Sequence, residues 1–315
     1  MRSLQKNGAV YKRSDVVAKK QITNIAASIK EKLANISRNN KVDYNSVFKQ
    51  FVHERFLYRL SRSNYKTNFI LKGALLFLVF DISRNRPTKD IDFLGKDFPN
   101  DLELIKNAFS QITSIQCEDG LVFDRKEIVV EQISELTKYK GIRVKLSAYL
   151  ENARERIQID IGFGDKIYKG PILIDYPILL EFPAPKIFAY SIESAIAEKF
   201  EEIVTLGIAT SRMKDFYDIW FFANTRSFKS DILREAIELT FENRGTDIND
   251  KAFIFNESFK NDNQKQTQWY AYSRKNNFEV SKYFFDTVED IEKFIAPLLL
   301  LNENKTWDPK TWSWD

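Results

Sequence analysis

Arg86-Pro-Thr-Lys-Asp-Ile-Asp-Phe-Leu94 is the stretch that decides how this chain is read. Ile91, Phe93 and Leu94 predict a strand, yet Asp90 and Asp92 stand inside it. Successive strand residues point to opposite faces, so these two carboxylates share one face. Two such charges about 4 Å apart repel by roughly 4 kcal/mol at an effective dielectric near 20. A fold keeps them together when a cation binds between them, and oxygen-only ligands suit Mg²⁺ or Mn²⁺ completed by substrate phosphates. The alternative is an acidic pair on an exposed strand edge or in a turn.

The neighbouring stretches favour the metal. Asn68-Phe-Ile-Leu-Lys-Gly-Ala-Leu-Leu-Phe-Leu78 reads as a short apolar strand, a glycine turn at Gly73 and a helix start, an arrangement whose backbone N–H groups receive a triphosphate. Arg143-Val-Lys-Leu-Ser-Ala-Tyr-Leu150 and Arg156-Ile-Gln-Ile-Asp-Ile-Gly162 alternate with period two and predict neighbouring half-buried strands. Asp160, in the second of these, is placed to complete the metal cluster. The pattern points to metal-assisted phosphoryl or nucleotidyl transfer.

With 315 residues, 43% hydrophobic and 29% charged, the chain is a globular protein with a sizeable core and two or three structural units. A net charge of +4, from 48 basic and 44 acidic side chains, permits a basic face without requiring one. The single Cys117 excludes an intramolecular disulfide and is read as structural. The single His53 excludes a histidine-rich or Cys/His zinc site. No stretch approaches the roughly 20 apolar residues that span a bilayer, and Met1-Arg-Ser-Leu-Gln-Lys-Asn-Gly8 lacks the apolar core of a secretory signal. The expectation is a cytoplasmic protein without membrane contact.

Helical spacing predicts a first helix over 14–37, with Lys12, Arg13, Lys19 and Lys20 giving its start a basic character. That character suits a phosphate backbone and equally an ordinary solvated face. A second helix is predicted over 43–61, burying Phe51 and Phe56 beside His53, and another over 100–112. The strand-rich middle runs from about 67 to 182 and gives way to helix around Pro183-Ala-Pro-Lys186. The division expected is 1–66 helical, 67–185 core, and 186–315 helical with a Trp-rich tail. Ser191 caps a helix ending at Gly207, and a further helix carries 212–222. Amphipathic helices follow, broken by a polar stretch at 256–268. Trp307, Trp312 and Trp314 are expected to dock back on the body, with base stacking as the second choice.

Lys199 shares its helix with inward-looking Ile196, Phe200 and Ile203, so its ammonium is expected to aim across a cleft at the strands, where it suits a triphosphate. Asp215 and Asp218, three apart, lie on one helical face. The other reading has Lys199 paired with a surface glutamate and the aspartates paired with Arg212 or Lys214.

Five blocks in order, Leu71-Lys-Gly-Ala-Leu-Leu76, Arg86-Pro-Thr-Lys-Asp-Ile-Asp-Phe93, Ile157-Gln-Ile-Asp-Ile-Gly-Phe-Gly-Asp165, Glu193-Ser-Ala-Ile-Ala-Glu-Lys-Phe200 and Ser211-Arg-Met-Lys-Asp-Phe-Tyr-Asp-Ile219, resemble the AbiEii/AbiGii nucleotidyltransferase toxins of type IV toxin-antitoxin and phage-abortive systems. The resemblance spans 56–220. It implies an α+β fold with a polymerase β-like nucleotidyltransferase core of mixed sheet and helices, flanked by N-terminal helices and a C-terminal helical domain. It further implies that Lys72, Gly73, Ala74, Arg86, Lys89, Lys199 and Asp218 surround the nucleotide. Asp90, Asp92 and Asp160 would hold Mg²⁺ or Mn²⁺, and Asp90, Asp92, Asp160, Lys199 and Asp215 would be catalytic. The family's first motif is commonly Gly-Ser or Gly-Gly. Ala74 removes a serine hydroxyl but leaves the backbone donors. The implied partners are an NTP, an RNA acceptor such as tRNA, and a cognate antitoxin encoded nearby. A small-molecule or protein acceptor, or a non-catalytic nucleotide- or RNA-binding module of the same fold, remain as alternatives.

Overall fold

A computed structural model describes residues 24–80, 90–133, 141–276, 280–300 and 303–315. The basic residues Lys12, Arg13, Lys19 and Lys20, and the expected nucleotide contacts Arg86 and Lys89, lie outside those residues.

Two helices come first. Helix α1 (Ile25–Asn40) is capped by Asn24, whose side chain accepts from Ala27 N, and it ends where Lys41 turns left-handed at φ 53°. It thus runs past the predicted end at 37. Helix α2 (Tyr44–Arg62) starts at its Asp43 cap and buries Val47, Phe48, Phe51, Phe56 and Leu60 as the periodicity predicts. Its buried Arg55 and Arg59 both bind Asp119 of the loop ahead of the third strand, at 2.8 and 2.7 Å. Each of these buried charges is therefore paired, which burial demands.

The sheet begins with β1 (Phe69–Lys72), which runs straight into the one-turn helix α3 (Gly73–Leu76). Strand β2 (Asp90–Gly95) and helix α4 (Leu102–Ser114) follow. Three long strands come next: β3 (Val122–Ile133), β4 (Gly141–Leu150) and β5 (Ala153–Phe163). Short strands β6 (Ile172–Asp175) and β7 (Lys186–Ala189) complete a seven-stranded mixed sheet of order β3-β4-β5-β2-β1-β7-β6. Alternation does the sorting. Ile142, Val144, Leu146, Ile157, Ile159 and Ile161 are buried, while Arg143, Lys145, Gln158 and Asp160 occupy the opposite face.

The sheet extends past the boundary expected at 185. Pro183 and Pro185 break the chain as predicted, but the four residues after them form a strand that pairs antiparallel with β6 and, through Ala189 opposite Leu71, parallel with β1 before any helix begins. Four residues carry too little periodicity to declare a strand.

Helix α5 (Ile192–Leu206) has the Ser191 cap and Gly207 stop expected of it. Helix α6 (Met213–Thr225), strand β8 (Phe228–Lys229) and helix α7 (Ser230–Arg244) follow. The polar stretch 256–268 is helical, contrary to expectation: it holds α9 (Glu257–Lys260) and the first half of α10 (Asn263–Asn276), after the short α8 (Lys251–Ile254). Polar caps explain the misreading. Asn256 Oδ1 accepts from Phe259 N and Asp262 Oδ1 from Lys265 N, while buried Lys265 donates to the Ile208 and Thr210 carbonyls at 2.7 and 2.6 Å. After α11 (Phe284–Ile295), strands β9 (Thr306–Asp308) and β10 (Ser313–Trp314) add to β8 as a small second sheet. The tail docks on the body: Trp307 is fully buried and donates its indole N–H to the Ala223 carbonyl at 2.7 Å.

Candidate active site

Strand register brings the acidic residues together. Asp92 on β2 lies opposite Lys72 on antiparallel β1 and opposite Asp160 on parallel β5. Arg143 of β4 and Glu131 of β3 continue the row. The result is a line of five charged residues across five strands on one face, with Asp90 two residues from Asp92 on that same face.

Glycine is required at position 73. Gly73 has φ +68°, and a Cβ there would come 2.1 Å from Asp92 Oδ2. The turn expected to receive phosphates therefore also receives the Asp92 carboxylate. Ala74 follows within the one-turn helix.

Burial pushes the Asp92 carboxyl up to about 6; Asp160 and Asp90 add to the shift, while Lys72 and Lys214 oppose it. Asp90 is also raised, by burial and then by Asp160, against Arg143, Lys49 and Lys214. Two carboxyls unfavourable as free anions, offering only oxygen donors, fit a hard divalent cation that keeps water and substrate phosphate in its remaining positions. Asp160 stands differently. Both its oxygens accept from Arg143, at 2.8 Å each, so it is held by a fork-shaped ion pair. Among the described residues no group of three or more carboxylate, histidine or cysteine side chains is gathered as a metal cluster.

Lys199 is placed otherwise than expected. Its ammonium lies between Asp215 and Asp218, at 2.6 and 2.8 Å, over the Phe77 ring. Those aspartates are 0% and 1% exposed, and buried carboxylates on one face of α6 demand a cation more strongly than an open cleft does. Arg212 adds a contact to Asp215 at 2.5 Å and pairs with Glu202. Although burial pushes the other way, Lys199 and Arg212 hold the Asp215 carboxyl well below the usual carboxylate range.

Lys72 is tied down too, by residues that sequence reading missed. It binds Glu198 of α5 at 2.6 Å and Asp165 at 3.2 Å, and Arg244 at the end of α7 binds the same two at 3.0 Å each. Four side chains of alternating charge close a ring. Burial opposes ionisation of Glu198, but Lys72 and Arg244 prevail and bring it down to about 2. Glu202, one turn on, goes the other way, to about 7, because burial and the Glu198 charge outweigh Arg212. Glu198 sits beside Lys199 and Asp165 ends the block begun at Ile157, so both were visible in principle; Arg244 lies 79 residues beyond Asp165, outside every block, and carries no local signal.

A surface groove of about 580 Å³ lined by Thr205, Thr246, Asp247, Asp250 and Phe253 shares no residue with this cluster.

A family model for the AbiEii toxin, a nucleotidyl transferase of type IV toxin-antitoxin systems, matches residues 55–295. The chain belongs to the AbiEii family. That membership makes it a nucleotidyltransferase-family toxin whose system includes an antitoxin. The match reaches well beyond the 56–220 span of the motif blocks, through α7 to the last turn of α11. No curated protein matches. JHP933 from Helicobacter pylori superposes with a TM-score of 0.45 at 13% identity, over 82% of this chain and 96% of that one. A second H. pylori chain, provisionally labelled a nucleotidyltransferase, gives 0.39 at 14% identity over 78% and 93%. The AbiEii chain described here has no helix, among the described residues, long and apolar enough to cross a membrane.

Proposed function

We propose that this AbiEii toxin is a metal-dependent nucleotidyltransferase that moves an NMP from an NTP to a hydroxyl of an RNA acceptor, tRNA foremost, with release of pyrophosphate. The observation that carries this reading is the Lys72–Asp92–Asp160–Arg143 row beside Asp90, closed at one end by the Gly73 turn.

Asp90 and Asp92 are the residues that would hold Mg²⁺ or Mn²⁺. Bound there, the ion supplies electrostatic stabilisation of the attacking and leaving oxygens during in-line displacement at the α-phosphate. Gly73 lets the chain pass close to the Asp92 carboxylate and fixes that carboxylate's place. Asp160 adds its charge to the same face as the third carboxylate. Arg143 sets its orientation through two hydrogen bonds. Lys199, Asp215 and Asp218 act as one unit that fixes the start of α6 against α5, and the nucleotide lies between that unit and the strands. Because charge spreads over phosphate oxygens in the transition state, fixed cations on this face lower the barrier without reorganising.

The test incubates the full chain and its Asp92→Ala variant with total tRNA, Mg²⁺ and each α-labelled NTP in turn. Label on RNA with one NTP, absent in the variant, is the expected result. An active Asp92→Ala variant overturns the assignment of the site. No label from the wild type with any NTP overturns the RNA acceptor.

A further inference from the structure

Strand β1 is held unevenly at the end that leads into Gly73. On the β2 side its ladder runs to Lys72, opposite Asp92. On the β7 side its register pair is Leu71 with Ala189, and the Tyr190 N–H closes that edge on the Leu71 carbonyl at 3.0 Å. Lys72, the residue at the cap position of α3, makes no side-chain cap bond. Among the described residues, neither ladder nor cap fixes the Gly73 turn from the β7 side.

Helix α5 does so with two adjacent residues. Glu198 accepts from Lys72 Nζ at 2.6 Å, just ahead of the turn, and Lys199 stands 5.2 Å from the centre of the Phe77 ring, just past it. One turn of α5 therefore grips both ends of the Gly73–Leu76 segment. Each grip is anchored from behind, Glu198 by Arg244 of α7 at 3.0 Å and Lys199 by Asp215 and Asp218 of α6. Asp165 also meets Lys72, but at 3.2 Å and from a position two residues past the end of β5.

We propose that Glu198 is a positioning residue for the transfer reaction: by holding Lys72 it sets the Gly73 turn, and through the contact of Gly73 with Asp92 it places the carboxylate that would hold the metal. This assignment rests on the nucleotidyltransferase reading above. Glu198 touches neither nucleotide nor metal in it, and Lys72 serves as a strut. The reach of the side chain matters as well as its charge, since removing one methylene draws the carboxylate back by about 1.5 Å. A displacement of about 1 Å at a reacting group costs roughly 100-fold.

Amide exchange at 73–77 in the full chain, with label transfer to total tRNA in parallel, tests this in Glu198→Asp, Glu198→Gln and Glu201→Gln. Glu201 binds Arg244 at 2.7 Å and the Thr205 and Thr246 hydroxyls, none of them on β1, so its variant loosens α5 from α7 without releasing Lys72. Both Glu198 variants are expected to quicken exchange at 73–77 by about 10-fold and to lower kcat by about 10- to 100-fold with the KM for the NTP little changed. Glu198→Asp keeps the charge and should unfold near the wild-type temperature, so it carries both readings even where Glu198→Gln fails to fold. Glu201→Gln should unfold at a lower temperature with exchange at 73–77 and kcat at wild-type values. Wild-type exchange at 73–77 in Glu198→Asp overturns the tether. A kcat that falls in step with unfolding temperature across all three variants overturns the positioning role and leaves a stabilising one. A wild type that transfers no label overturns the transferase reading and the part of Glu198 in it, while exchange still decides whether Glu198 holds the turn.

Discussion

The Asp92 carboxylate rests against the Cα of Gly73, on the side where any other residue would carry its Cβ, 2.1 Å from Oδ2. The contact joins the first and second strands of the core at the point where the chain leaves one and the acid pair stands on the other. It gives the glycine two reasons to be there, a left-handed φ of +68° and a neighbour that fills the space.

Gly73→Ala should therefore displace the carboxylate before it unfolds the protein. Left-handed backbone costs about 1–2 kcal/mol for alanine, which a domain of this size survives. Misplacing a reacting group by about 1 Å costs roughly 100-fold. Thermal unfolding should fall by only a few degrees while NMP transfer drops by about two orders of magnitude; transfer at the wild-type rate would show that the contact is incidental.

Lys199→Met leaves Asp215 and Asp218, 0% and 1% exposed, without their shared cation. Removing one partner of a buried ion pair costs about 3–5 kcal/mol. Urea unfolding should register a loss of that order. Lys199→Arg should recover most of it, whereas a lysine serving only as a ligand contact would leave stability untouched in both variants.

His53 is buried with its Nε2 unpartnered, and burial, assisted by Lys49, lowers its pKa to about 3. Unfolded, the ring titrates near 6.5. Between those values the unfolded chain binds the extra proton, so the stability that a neutral ring contributes is complete above about pH 6.5 and is lost as pH falls toward 3. The full loss is about 5 kcal/mol. His53→Leu should flatten this part of the acid limb relative to wild type in unfolding measured from pH 7 to 4; parallel limbs would show that other groups govern it.

Trp307 fills a fully buried site between Phe294, Trp312 and Trp314 and satisfies the Ala223 carbonyl near the end of α6. Trp307→Ala should cost about 3–5 kcal/mol. Because α6 also carries Asp215 and Lys214, amide exchange in 213–225 should quicken along with it. Unchanged exchange there would separate the tail from the helix it covers.

Local pattern made much of this legible. Asp90, Asp92 and Asp160 stand in period-two strands, and register alone put Asp92 beside Asp160. Ser191 and Gly207 marked helix ends by cap chemistry that acts within three residues. Partners far apart in the chain were not legible. Nothing near Lys199 states that its ammonium turns to Asp215 and Asp218 and away from the sheet, because that choice depends on how deeply α6 buries them. Arg143 was read as a strand residue, and its grip on Asp160 follows only once β4 and β5 are paired.

The ring of Lys72, Glu198, Arg244 and Asp165 bears on how this chain can change over generations. Each member faces at least two opposite charges at 13–17% exposure, and Arg244 also meets Glu201 and Glu202, so replacing one alone strands its partners where water cannot fully compensate them. The four positions are therefore one heritable unit: single drift is blocked, while coordinated exchange, such as an apolar pair at 72 and 198, is open. Positions scattered over 173 residues would then substitute together or not at all.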